Sequence, residues 1–181
     1  LGRIDDSLRY YQTVLARDPI NPFVIAGYVT TLIAASRPGE AVQQARKMLE
    51  LSPNAAWGHW YLAYALLWNK ELDEALRQSA LEPNPSMRLS CQALIARAQG
   101  DRQAEEIAMR ALLASDNAIK PFFVAEVYAA RGDAGTAIAW LERARLARVG
   151  WFSEFPADPA FDSIRRDSTF VEYIHRVRLR D

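Results

Sequence analysis

Apolar positions along this chain recur at intervals of three and four, and no segment alternates apolar and polar residues over the length of a strand. The pattern predicts helices over 3–17, 22–35, 38–51, 55–69, 71–82, 86–99, 101–115, 119–131 and 134–148, with a last one over 168–179. Prolines at 19, 53 and 83 fall where every second helix must stop. The breaks between them hold turn residues: Arg37-Pro38-Gly39, Asn69-Lys70, Gly100-Asp101 and Gly132-Asp133.

These helices repeat. Ser7-Leu8, Ala41-Val42 and Ala75-Leu76 are each 34 residues apart, and the same offset carries Tyr11 to Ala45, Leu15 to Leu49 and Pro19 to Pro53. A small residue in the second helix lets the first helix approach closely; Ser7, Ala41, Ala75, Ala104 and Ala137 fill that position. First helices carry Ile25, Tyr28, Val29 and Leu32, then His59, Leu62, Ala63 and Leu66, then Val124, Ala125 and Tyr128.

Period and positions together resemble the tetratricopeptide repeat (TPR) family over roughly residues 2–148, although no first helix has that family's opening tryptophan. The resemblance implies an all-α, TPR-like superhelix, a right-handed solenoid of antiparallel helix pairs ended by a C-terminal capping helix. The array divides into a half-unit at 1–19 and units at 20–53, 54–83, 84–116 and 117–148, followed by an arm and capping helix at 149–181.

Two departures have consequences. Pro53 and Pro83 are only 30 residues apart, so the second helix of that unit is expected to lose about one turn, with the convex side indented near 79–85. The half-unit lacks a preceding helix, so Ile4, Leu8, Tyr11 and Leu15 are expected to lie uncovered and the chain to come from a longer protein. Past Leu146 the period stops, and residues 151–156 are expected to pack as an arm. Residues 158–170 resemble the DP-x-F-D-x-L-R-x-DP-x-F ending of bacterial TPR arrays, with Ser168 in place of the second proline. In such proteins the array is often the C-terminal part of a winged-helix regulator, a nucleotide cyclase or a protein kinase. Phe170, Ile174 and Val177 form the apolar stripe of the capping helix.

Charge narrows the function. Lys plus Arg and Asp plus Glu stand at 22 each, with none of the basic surplus that direct nucleic-acid binding requires. No apolar run reaches the roughly 20 residues of a membrane span, and the chain reads as a soluble cytoplasmic domain without membrane contact. Catalysis finds little material. His59 and His175 have no local partners, Cys91 is alone and reads as a small hydrophobe, and two histidines with one cysteine cannot complete a four-ligand zinc site. Asp5-Asp6, Asp73-Glu74 and Glu105-Glu106 lack the alternating oxygen ligands of a calcium loop. No phosphate-binding glycine loop is present. The expectation is a non-enzyme with no cofactor and no metal.

In TPR arrays first helices line the concave surface, and here the corresponding positions are aromatic. Phe23, Trp57, Trp60, Tyr61, Tyr64, Trp68, Phe122 and Phe123 are the expected ligand-binding groove. This groove lacks the Lys, Arg and Asn with which one TPR subfamily grips a chaperone's terminal carboxylate, so acidic C-termini are disfavoured. The expected function is a protein-protein interaction scaffold in a larger bacterial regulatory protein, binding a protein or peptide through apolar or aromatic anchors. The competing expectation is a structural module whose apolar faces make a homodimer.

Overall fold

The computed structural model describes residues 2–150 and 155–178, and side chains over 4–150 and 155–177. Every regular element described is helical: α1 (Gly2–Arg17), α2 (Pro22–Ala34), α3 (Pro38–Leu51), α4 (Gly58–Trp68), α5 (Leu72–Leu81), α6 (Pro85–Gln99), α7 (Arg102–Ala114), α8 (Lys120–Ala130), α9 (Ala134–Leu146), a 3-10 segment (Pro159–Ile164) and α10 (Ser168–Arg178). The short α5 is the lost turn: it has 10 residues where α3 has 14 and α7 and α9 have 13. The 3-10 segment was not anticipated as an element. The first part of the expected arm, residues 151–154, lies outside the described residues.

Two compact units result, one of Leu1–Asn84 with Ala98–Gly100, the other of Pro85–Arg97 with Asp101–Asp181. In the first, each helix from α1 to α5 packs on its neighbour in sequence and α2 also packs on α4, so first helices stack on first helices. Ala41 and Ala75 are fully buried at those crossings, as the need for a small residue requires. The apolar side of α1 is not left open as expected. Leu8 is buried and Ile4, Tyr11 and Leu15 are half-buried, because that side faces α2. Gly27 is the crossing point: a Cβ there would stand 2.4 Å from the Tyr11 hydroxyl. In the second unit α7 packs on α8, α8 on α9 and on the 3-10 segment, and α9 on α10.

The repeat is written into the backbone of the turns. Ser36, Lys70, Gly100 and Gly132 all take the left-handed conformation, with φ of 59°, 67°, 77° and 82°. In each case the next residue's N–H closes back on the helix: Arg37 to Leu32, Glu71 to Leu66, Asp101 to Ala96 and Asp133 to Tyr128, at 2.9–3.0 Å. A non-glycine residue pays roughly 1–2 kcal/mol for this conformation. Gly132→Ala is therefore expected to destabilise by about 1 kcal/mol. Lys70→Gly should stabilise by about 0.5 kcal/mol after the extra unfolded-state entropy is counted. Urea denaturation of both variants checks the pair, and equal effects of one sign would contradict the shared turn.

Second helices begin alike as well. Asp101 accepts the Ala104 N–H and Asp133 the Thr136 N–H, both at 2.9 Å. Asp167, 34 residues after Asp133, accepts from Thr169 N and Phe170 N at the start of α10. The backbone donor of Thr136 holds the Asp133 carboxyl below its ordinary range, and the Thr169 hydroxyl with the Phe170 N–H does the same for Asp167. The C-terminal segment thus imitates one more helix pair: the 3-10 segment lies on α8, as α4 lies on α2, and α10 lies on α9.

Candidate partner-binding surface

The expected groove centres on α4, whose sequence GHWYLAYALLW offers no polar face. Its aromatics do share one side: Trp60 stacks on Tyr64 at 4.9 Å and 14°, and Tyr64 meets the Trp68 ring edge-on at 5.9 Å. That side is interior. Trp60, Tyr61, Tyr64, Phe122 and Phe123 keep between 0% and 5% of their surface exposed, which corrects the expectation that they form an open wall. A helix apolar all round has no face to give to water, so period alone cannot tell its packed from its exposed positions. For Phe122 the cover includes the chain's own C-terminal segment, since its ring lies 6.4 Å from that of Phe161. Trp57 and Trp68 are half-buried, and Phe23 is the groove residue that remains open, 73% exposed.

Trp57 begins α4 in the left-handed region, φ 62°, an uncommon conformation for a bulky residue, and its side chain gives the helix no cap. The α4 start therefore differs from the expected 55: Ala55 bonds back to Ser52 and Gly58 to Ala55 before the helix begins. Glu82 supplies the missing cap. Its buried carboxylate accepts the Trp60 N–H at 3.3 Å and the Asn84 N–H at 2.9 Å, placing a negative charge at the positive end of the helix.

Phe23 and Trp57 are 34 residues apart, at equivalent points of successive first helices. The apolar side chains exposed beside them escaped the sequence reading: Ile20 (59%), Leu51 (45%) and Leu81 (58%). Leu51 and Leu81 each stand two residues before a helix-ending proline and Ile20 follows another, a shared position that repeat alignment could have revealed.

The reactive residue types are placed as packing or surface groups. Cys91 is buried, His175 is exposed, and His59 Nδ1 lies 2.9 Å from Gln78 Oε1. Gln78 in turn donates to Glu74, whose carboxyl is held low by Gln78 and then by Arg77. Among the described residues no group of three or more His, Cys, Asp and Glu could hold a metal ion, and no helix is long and apolar enough to cross a membrane.

No family model matches the chain, and no curated protein matches it. A solved structure does: that of MamA, a TPR-like protein, superposes with a TM-score of 0.54 over 81% of this chain and 90% of that one, at 18% identity. The likeness shows a TPR-like helical-repeat fold.

Proposed function

We propose that this chain is a non-catalytic protein-binding scaffold that takes a peptide or protein segment by its apolar or aromatic anchors. The fold supports a protein-protein interaction role in general. The observation that carries the finer reading is the repetition itself: equivalent positions of successive units, Phe23 and Trp57, present aromatic surface in the same register. Of the eight groove residues expected, Phe23, Trp57 and Trp68 have surface to offer a partner as the chain stands. The C-terminal motif over 158–170 supports a place in a larger bacterial regulatory protein, and the charge balance supports a cytoplasmic one.

Ordering a flexible ligand offsets much of the apolar gain, so peptides selected from a random display library should bind with Kd on the order of micromolar. Because the contacts are apolar, raising NaCl from about 50 to about 500 mM should change that Kd by less than about threefold. Calorimetry on the selected peptides decides it. Failure to select any peptide, or an affinity that collapses with salt, would contradict the reading. A concentration-dependent mass by light scattering would favour the homodimer instead.

A further inference from the structure

Short connections make neighbouring helices antiparallel in the first unit, so the C-termini of α1, α3 and α5 and the N-termini of α2 and α4 share one end. Ile20, Phe23, Leu51 and Leu81, exposed by 45–73%, all belong to this end, together with half-buried Trp57. The opposite end, at 35–40 and 69–72, has none of the chain's exposed large apolar residues and carries Arg37, Glu40, Lys70 and Glu71 instead. The asymmetry is not a by-product of helix patterning, because these side chains sit at loop and helix-end positions where polar residues are equally good chain formers.

We infer that this apolar end of the first unit, rather than the face of α4, is the docking site for a short segment of another protein carrying two aliphatic or aromatic anchors beside basic residues. The inference rests on the scaffold reading and names its surface and ligand. Size selects the occupant. Four side chains exposed by about half to three-quarters present on the order of 400 Å², within the range of a functional patch but about half of the roughly 800 Å² per partner that a stable dimer buries. A second copy would find too little to hold, whereas a segment of a few residues would cover it. Charge selects further: over 15–24, 49–60 and 79–84 the exposed charges are Arg17, Asp18 and Glu50, and the Glu82 carboxylate is turned inward. The excess is acidic and favours basic flanks.

The test uses the whole chain and two labelled heptapeptides with two Leu and two Phe anchors, one flanked by Arg and one by Glu. The Arg-flanked peptide should shift backbone amide resonances of residues 18–23, 51–57 and 79–84, and bind several-fold more tightly than its Glu-flanked counterpart. Phe23→Ser or Leu81→Ser should weaken it about tenfold, with Tyr10→Ser, another exposed site, unchanged and all three melting temperatures retained. Shifts centred on other surfaces, or no binding of the heptapeptides, would overturn the docking site while peptides from the display library still report on the scaffold. A dimer dissolved by Phe23→Ser, or attachment to phosphatidylcholine vesicles lost on the same change, would assign the edge to a second copy or to lipid and equally overturn it.

Discussion

Phe161→Ala is expected to lower the stability of the chain by about 3–5 kcal/mol, the ordinary cost of emptying a filled aromatic site. Phe161 is fully buried in the 3-10 segment and touches the rings of Phe155 at 5.8 Å, Phe122 at 6.4 Å and Phe170, on which it stacks at 5.9 Å and 6°. The backbone around it is fastened independently: Arg165 donates to the carbonyl of Asp158 at 3.0 Å, to that of Pro156 and to the Asp162 carboxylate, and the Ser163 hydroxyl donates to the Ala129 carbonyl at the end of α8. The ring can therefore be removed without the segment being free to collapse onto the hole, which puts the effect toward the top of the range. Guanidinium denaturation measures the loss, and amide exchange locates it: α8, α9 and α10 should lose protection before α2–α4 do. A cost under about 1 kcal/mol would mean that the C-terminal segment is an appendage and not the last layer of the second unit's core.

How far the sequence carried depended on what each position had to distinguish. Small residues at Ala41, Ala75 and Ala137 and terminators at Pro19, Pro53 and Pro83 have steric consequences that admit few alternatives, so helix order, pairing and the shortened α5 were legible from spacing. Turn conformation was half-legible: Gly100 and Gly132 announce a left-handed residue, whereas Ser36 and Lys70 adopt it without the composition that signals it. The binding surface was not legible. Its phasing assumed that aromatic positions away from the packed ones face water, and along α4 both sets are apolar, so Trp60, Tyr61 and Tyr64 carried no mark of being interior. Phe122 was hidden for another reason, since its partner Phe161 is 39 residues on, in a segment without helical period. Glu82 was missed because a carboxylate that caps a helix 22 residues earlier in the chain looks locally like the polar end of α5.

Arg131→Leu should cost about 2–3 kcal/mol, and Glu105→Leu in the same chain should recover most of it. Glu105 stands one residue after the small position of its unit, where the other units have Leu8, Val42, Leu76 and Ile138, and it is buried there. Arg131 meets it with Nε at 2.7 Å and Arg97 with Nη1 at 3.5 Å, while Arg131 also reaches Glu106 at 3.2 Å. Removing Arg131 leaves a buried carboxylate whose remaining cation is more distant and largely exposed, and an uncompensated buried charge is the expensive state. It falls short of the roughly 3–5 kcal/mol of a wholly enclosed pair because Arg97 persists and Arg131 is itself partly exposed. Replacing both partners returns the site to the aliphatic packing of the neighbouring units, so the double variant should lie within about 1 kcal/mol of the parent. The pH dependence fixes the cause. In Arg131→Leu the folded-state pKa of Glu105 rises above its unfolded value of about 4.3, so protonation favours the folded chain and the deficit shrinks as pH falls from 7 towards 5. Lost packing alone would leave the deficit constant over that interval, and a double variant as unstable as Arg131→Leu would show that the arginine stem, rather than its charge, holds α7 to α8.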